Sequence, residues 1–479
     1  MRAIRSSITL VGSDDLTIQA RPVPFDIREL KRIPRVPVSD GLGGMFAFRR
    51  DPINFLKSGL ERYGDIFRFR VFGVPFIILN HPDLVQHVFV DNSQNYDKDS
   101  WLYRVVQPVL RDGLIGNAGG DYWRRQRKIM NPSFQPATVA LFARYMTEET
   151  VKMMDRWEKS PGIGRIVDVS NDIGELALTI VTRSLFSTSI GRHILDLQQA
   201  FYEANTILAD FFRFPFPPLS IPTARNRRLR ALIRKVDDMV VGFITDRISG
   251  ALRCDEPDLL WMLMNSIDDE TGEGMSIEQL THEVLNVGVG AYETTTNTVA
   301  WAFYLLAQHP DVEARVRDEV ARVCGNRIPT YEDLPRLSYT RMVVDETLRL
   351  YSPAWQTMRR AIHDDNVAGY YVPANANVYL NSYLLHRHRS FWESPDAFVP
   401  ERFNAEGIAS RPKHVYMPFG GGPRICLGKY FALTELQLVV ATISQRFTLR
   451  LPPGAAPVEA EPLITLHPKG GVHLVVERH

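Results

Sequence analysis

One stretch constrains this chain more than any other. From Ser276 to Gln308 apolar residues recur at helical spacing, opened by the capping-box pair Ser276 and Gln279 and closed by His309-Pro310. A helix of that length is unusual in a globular protein and is expected to cross the middle of the molecule. Helical periodicity dominates from about residue 120 to 350, with breaks near 131, 161, 215 and 254. Two further helical runs cover Val312–Val323, ending at Gly325, and Tyr339–Tyr351, ending before Pro353.

The flanks have a different texture. Prolines at 21–40 suggest an extended surface strap, Pro52–Tyr63 reads as a short helix, and Asp65–Asn80 alternates about Phe72-Gly73-Val74-Pro75 as a β-hairpin does. After Pro353 come β-like pieces at Val367–Val372 and Asn377–Leu380, then a loop-rich stretch to Gly422. A helix from about Leu427 to Phe447 and a hairpin around Lys469-Gly470-Gly471 complete the chain. The expected fold class is mainly α with a small β subdomain. The 479 residues would allow more than one domain, but no break in composition calls for one, so a single large domain is expected after an extension at 1–33.

Charges nearly cancel at net +1, which gives no drive towards nucleic acid. Cys254, Cys324 and Cys426 are too sparse and scattered for a disulfide scaffold and fit a reducing compartment. Between Met1 and Ala20 the only apolar patch is Ile8–Val11, and no run elsewhere reaches membrane length. A cytoplasmic protein without a transmembrane anchor is expected.

The segment Phe419-Gly420-Gly421-Gly422-Pro423-Arg424-Ile425-Cys426-Leu427-Gly428 carries the strongest chemical signal. Its three consecutive glycines let the backbone fold tightly against a flat object. Cys426 stands just before a helix, where amide groups and the helix dipole favour a thiolate. Arg424 suits a carboxylate, and Gly428 leaves room for close approach. A lone cysteine is otherwise a buried thiol on a tight turn or a nucleophile, and no histidine stands in a companion motif.

At this spacing the segment resembles the haem loop of the cytochrome P450 family, Phe-x-x-Gly-x-Arg-x-Cys-x-Gly, with every fixed position matched. The resemblance runs from about residue 34 to the C-terminus, making 34–479 the haem domain. It implies the family's fold and haem b, with Cys426 as thiolate ligand and Phe419, Arg424 and Gly428 around the cofactor. Glu346 and Arg349 share a helical face and alone are an ordinary surface pair. With Pro400-Glu401-Arg402-Phe403 in the right order, the resemblance implies that Glu346, Arg349 and Arg402 form a buried bracing triad.

In the long helix, Gly290-Ala291-Tyr292-Glu293-Thr294-Thr295 combines poor helix formers. The family pattern implies that the helix distorts there to admit oxygen, with Thr294 hydrogen-bonding dioxygen and Glu293 relaying protons. Ala291 replaces the usual glycine, and its methyl group narrows the oxygen pocket. Trp123 and Arg127, four apart, are implied for a haem propionate. Arg359 matches another propionate arginine, with the adjacent Arg360 as a one-residue alternative. Arg124, Arg125 and Lys128 are left over, either as a solvated basic face or as a dock for an acidic electron-transfer protein. His388-Arg389 replace the family's usual Asp-Pro after His386-Arg387, which touches only a turn.

The family's variable substrate-contacting stretches map to Asp97–Ile115, Tyr202–Leu219, Asn286–Thr294, Ala354–Met358 and Leu463–Leu466. Ile115, Phe212, Ala291, Met358 and Ile464 are expected on the pocket wall, which suits an apolar substrate of moderate to large size. The aromatic run Phe211–Leu219 reads as a packed loop, a lid, or a patch for a membrane or partner. The implied activity is a haem-thiolate monooxygenase that activates O2 and hydroxylates or epoxidises an apolar organic compound. No flavin or iron–sulfur motif follows residue 428, so electrons are expected from a separate ferredoxin or flavodoxin-type donor with its reductase. A peroxygenase or isomerase needing no external electrons, and a non-catalytic haem-binding protein, are the alternatives. The Glu293–Thr294 pair counts against both.

Overall fold

The computed structural model describes residues 25–36, 46–71, 74–159, 164–188, 194–254 and 256–479. The apolar patch Ile8–Val11, the end of the proline-rich strap, the Phe72-Gly73 turn and the break near 161 lie outside these residues. The longer helices, in chain order, are α1 (Pro52–Tyr63), α2 (Trp101–Leu110), α3 (Gly120–Met130), α4 (Pro136–Lys159), α5 (Val169–Phe186) and α6 (Ile194–Arg213). They continue with α7 (Ala224–Ile248), α8 (Ile277–Gln308), α9 (Pro310–Cys324), α10 (Ser338–Leu350) and α11 (Lys429–Ser444).

The central helix α8 starts where its capping box places it. Ser276 Oγ accepts the Gln279 N–H at 3.2 Å, and Gln279 Oε1 accepts the Ser276 N–H at 2.9 Å. It ends at His309 because Pro310 is preset for the first turn of the next helix. Its rise makes it about 48 Å long. Every residue from Thr295 to Ala307 is buried, so this half is enclosed on all sides, and along its length α8 packs against α5, α7, α10 and α11. α4 lies along α11 and completes the helical core.

The strands are β1 (Ile66–Val71), β2 (Val74–Leu79), β3 (Tyr96–Asp97), β4 (Ile166–Asp168), β5 (Thr357–Ala361), β6 (Asp365–Val367), β7 (Tyr370–Val372) and β8 (Asn377–Leu380). β9 (Phe447–Arg450), β10 (Ala460–Pro462), β11 (Leu466–Pro468) and β12 (His473–Arg478) follow. The largest sheet runs β1-β2-β8-β5-β3, in which β2 and β8 are parallel and the other pairs antiparallel. Val367–Val372, expected as one β-like piece, is instead the turn and edges of the β6–β7 hairpin. The hairpin expected around Gly470-Gly471 is not one. Both glycines take positive φ, at 75° and 80°, and lead the chain from β11, which pairs with β10, into β12, which pairs with β4 and β9.

The loop-rich stretch before α11 is fastened to α10 by buried charge. Arg349, 0% exposed, donates Nε and Nη2 to the two oxygens of Glu346 at 2.7 and 2.8 Å. Its remaining donors reach the carbonyls of His386, Pro395 and Ala397 at 2.7–3.0 Å. Glu346 also accepts the Val399 N–H at 2.9 Å, and Arg402 Nε lies 3.3 Å from it. This is no surface pair. Because Arg349 serves five acceptors in a planar fork, Arg349→Lys keeps the charge but leaves acceptors unmatched. The variant is expected to lose roughly 3–5 kcal/mol of unfolding free energy, read as a lowered urea midpoint; an unchanged midpoint would rule out the bracing role.

Candidate active site

Between α8 and the cysteine loop lies an internal cavity of about 440 Å³. The loop is closed by the Cys426 N–H donating to the Phe419 carbonyl at 2.9 Å. Gly422 has φ 63°, and a β-carbon there would stand 1.7 Å from the Phe89 carbonyl oxygen, so only glycine lets the loop press this close. Cys426 opens into the cavity, and what it exposes is cavity wall within the protein interior. Burial pushes its thiol pKa up, while the Gly428 N–H, Arg127, Lys98 and Lys429 pull it down. Phe419, Arg424 and Gly428 border the same space.

One edge of the cavity gathers four cations, Lys98, Arg127, Arg359 and Arg424. Among the described residues, no carboxylate forms an ion pair with any of them. Lys98 donates to the Ile115 carbonyl at 3.1 Å, and Arg359 to the Met358 carbonyl at 2.8 Å. Arg424 donates to the Asn117 and Ala118 carbonyls at 3.0 and 2.6 Å, with its guanidinium 4.0 Å from the ring centre of Trp123. Burial, with the neighbouring arginines, lowers Lys98 to about 8 and Arg424 to about 10. Burial opposes ionisation of Tyr103, yet Lys98 and Arg359 bring its hydroxyl down to about 7. A flat cofactor with two carboxylates, set over a thiolate, would supply the anions this edge lacks; the residues fit a haem. Arg360 points away, to Asp97 and Asp99, as strand alternation requires. Lys98 and Tyr103 lie within the stretch Asp97–Ile115 mapped from sequence to the pocket wall, but neither is singled out there because they carry no motif of their own.

Across the cavity, α8 presents Gly290, Ala291, Glu293 and Thr294. The distortion expected there is absent: α8 runs as unbroken α-helix, with the Thr294 hydroxyl donating to the Gly290 carbonyl at 2.7 Å. Glu293 accepts from Asn205 Nδ2 at 2.7 Å and Thr465 Oγ1 at 3.0 Å, and lies 3.2 Å from His467 Nε2. Burial works against its ionisation, but His467 and these hydrogen bonds hold the carboxyl below its usual range. His467 falls one residue beyond the last substrate-contacting stretch mapped from sequence.

Ile115, Ala291 and Ile464 line the cavity; Phe212 and Met358 do not. On β5 the side chains of Thr357 and Arg359 face the cavity, so Met358 turns to the opposite side. Phe212 is buried 6.0 Å from Phe48 in the second apolar core and holds α6 there. The basic cluster is answered within the chain: Arg124 pairs with Asp121, Lys128 with Glu270, and Arg125 with Glu273.

A family model described as Cytochrome P450 matches residues 41–475. The chain is 33% identical over 417 residues to the cyclooctatin synthase of Streptomyces melanosporofaciens, covering 86% of this chain and 88% of the relative. It is 33% identical to cyclooctat-9-en-7-ol 5-monooxygenase of the same organism, covering 86% and 88%. It is 30% identical to pentalenene oxygenase of Streptomyces avermitilis, covering 88% and 91%.

One carboxyl on the cavity wall yields a pH test. Glu283 accepts the Leu114 N–H at 2.9 Å while its other oxygen has no partner, and burial raises its pKa to about 7 from an ordinary 4.5. The unfolded chain therefore ionises this group before the folded one does. Its stabilising contribution is complete below pH 4.5 and is lost as pH rises to about 7. Glu283→Gln keeps the acceptor for Leu114 without the titration. It is expected to match the parent protein at pH 4 and to exceed it at pH 8 by roughly 1–3 kcal/mol, as thermal unfolding across that range would register.

Proposed function

The chain belongs to the cytochrome P450 family, and we propose that Cys426 is the iron ligand of a cytoplasmic haem-thiolate monooxygenase acting on a terpenoid-like substrate. The enzyme activates O2 and inserts an oxygen atom into an apolar organic compound, with haem b as its cofactor. One observation carries the residue assignments: the thiol of Cys426 and the side chains of Glu293 and Thr294 open into the same largely apolar cavity, with unpaired cations at its edge.

Haem, when bound, supplies the thiolate-ligated iron at which dioxygen is reduced and cleaved. The chain's own residues do the rest. Lys98, Arg127, Arg359 and Arg424 hold the two propionates, with Trp123 backing Arg424. The glycine loop sets the direction of the Cys426 sulfur, and the amides at the start of α11 favour its thiolate form. Thr294 turns its Oγ1 from the Gly290 carbonyl towards the cavity, and the Glu293 carboxylate, paired with His467, relays a proton as acceptor and then donor. Apolar side chains from α2, α6 and α8 exclude water and seat the substrate. The names of the relatives that act on cyclooctat-9-en-7-ol and pentalenene support a cyclic terpenoid skeleton. No helix among the described residues is long and apolar enough to cross a membrane, which supports the cytoplasmic assignment.

Electrons come from a separate ferredoxin or flavodoxin-type donor with its reductase. The basic cluster on α3 is already matched by acids of this chain, so docking an acidic donor there exchanges ion pairs instead of creating them. The peroxygenase, isomerase and carrier alternatives make no use of the carboxyl–hydroxyl pair at Glu293 and Thr294.

Two variants test the assignments. Cys426→Ser is expected to lose the red-shifted Soret band that reduced, carbon monoxide-treated haem-thiolate proteins give, and to lose activity; retention of both would place the ligand elsewhere. Thr294→Ala is expected to keep haem and its spectrum but to divert most electrons into hydrogen peroxide. Peroxide formed per reducing equivalent, assayed with a surrogate ferredoxin and reductase, decides this: an unchanged ratio removes Thr294 from proton delivery.

A further inference from the structure

Glu293 belongs to a cluster with one end in the cavity and the other facing away from it. Its Oε2 is taken by Asn205 Nδ2 and Thr465 Oγ1. Its Oε1 accepts none of these bonds and lies 3.2 Å from His467 Nε2. Glu293, Asn205 and Thr465 all line the cavity, but His467 does not. The His467 side chain is 11% exposed, and its ring packs edge-on against Tyr202 of α6, centres 5.7 Å apart. Tyr202 is itself 48% exposed, so this edge of the imidazole lies at the protein surface. Glu293 and His467, in contact, therefore join the cavity wall to the outside.

The surroundings of Nε2 suit a nitrogen that gains and loses a proton. The Glu293 carboxylate offers it an acceptor at 3.2 Å, and the Asn205 amide nitrogen offers a donor at the same distance. The Asn205 amide cannot be the other way round: the Ile464 N–H donates to its Oδ1 at 2.9 Å, which turns Nδ2 and its hydrogens to the ring. A protonated Nε2 donates to Glu293, and a bare one accepts from Asn205. Thr465 Oγ1, 3.0 Å from the same nitrogen, can meet either state. Neither state leaves the nitrogen unpaired, so the cost that would lock a buried imidazole in one form is absent.

We propose that His467 is the proton inlet of the site, passing protons from the surface beside Tyr202 to the side of Glu293 that faces away from the cavity. This deepens the monooxygenase reading and rests on it. One oxygen atom enters the substrate and the other leaves as water, a change that takes up two electrons and two protons for each O2. The electrons come from the donor protein, and the protons must come from solvent. An apolar cavity filled by an apolar substrate excludes water, so a route behind the carboxylate lets the relay recharge while the cavity stays dry. Glu293 takes a proton from Nε2 and gives one to Thr294; water admitted at the exposed edge of the ring returns a proton to Nε2. His467 acts through Glu293 and is a positioning residue in the proton path, outside the cavity itself.

The test uses the haem-loaded enzyme with a surrogate ferredoxin and reductase, and cyclododecane as the apolar probe. Two rates are compared: appearance of the carbon monoxide Soret band, which needs an electron and no proton, and consumption of O2, which needs both. His467→Gln keeps an amide N–H for Glu293 and removes the group that passes a proton; His467→Ala removes both. Each variant is expected to leave the carbon monoxide rate unchanged and to slow O2 consumption on the order of a hundredfold, as loss of a proton-transferring side chain does. Each should also show a larger slowing in D2O than the parent. Parent-like O2 consumption and solvent isotope effect in His467→Gln would overturn the proposal, because the imidazole would then only hold the carboxylate in place. A parallel fall of both rates would overturn it too, marking a residue that only supports the fold. Absence of the thiolate band in the parent is a separate failure, that of the haem-thiolate reading underneath.

Discussion

The buried fork between Arg349 and Glu346 is the constraint on which the cysteine side of the molecule depends. A buried ion pair contributes little net stability, because desolvation offsets most of the attraction, but it tolerates only one geometry. Here that geometry spans sequence-distant segments. Arg349 reaches the carbonyls of His386, Pro395 and Ala397, and Glu346 reaches Val399 and Arg402. His386 extends the set: its ring lies 3.1 Å from the Arg349 carbonyl oxygen and accepts the Met417 N–H at 2.9 Å. Burial, with Arg349 beside it, lowers His386 to about 3, so the ring stays neutral and can accept that N–H. Met417 is two residues from Phe419, where the glycine loop begins. The direction of Cys426 thus traces back through hydrogen bonds to a charge pair on α10.

A second constraint is unresolved within the polypeptide. Among the described residues, four cations face one cavity edge without an ion-paired carboxylate, and Arg359 raises the cost of charge on both Lys98 and Arg424. The lowered hydroxyl of Tyr103 is the chain's own partial answer. Such an arrangement is relieved by a ligand carrying two negative charges, so cofactor binding and local stability are coupled here. The glycine loop shows the same dependence in shape. It is pressed against Phe89 on one side and opens to the cavity on the other, which suits a flat object.

What the sequence revealed follows from how local the signals were. The ends of α8 lie in a capping box and a proline within the helix's own neighbourhood, and the glycine loop is contiguous, so both were readable. Lys98 and Tyr103 lie in the stretch Asp97–Ile115 mapped to the pocket, but nothing local singles them out, and His467 is brought to Glu293 only by the tertiary fold. Met358 and Phe212 show the converse limit. A stretch can be assigned to a wall from its position, but which alternate residue faces inward depends on strand register and helix phase. Gly470-Gly471 misled for a related reason: two left-handed glycines suit a hairpin, yet β11 and β12 had better partners in different sheets.

The unbroken α8 has a cause in the same segment. A glycine-to-alanine difference in a helix interior favours the helix by about 0.5–1 kcal/mol, and Ala291 is where the family more often has glycine. The back-bonded hydroxyls of Thr294, Thr296 and Thr298, 2.7–2.8 Å from the carbonyls four residues before, pull the other way, since such bonds tend to bend a helix. The helix stays straight in spite of them, with its second half buried on every turn. Turning the Thr294 side chain overcomes only one hydrogen bond, about 1 kcal/mol, and leaves the ladder intact. Glu293 resists movement more strongly, tied to α6 through Asn205 and to the segment at β11 through Thr465 and His467. In this chain Thr294 can therefore turn its hydroxyl towards the cavity while α8 stays straight, beside a Glu293 carboxylate held from two neighbouring segments.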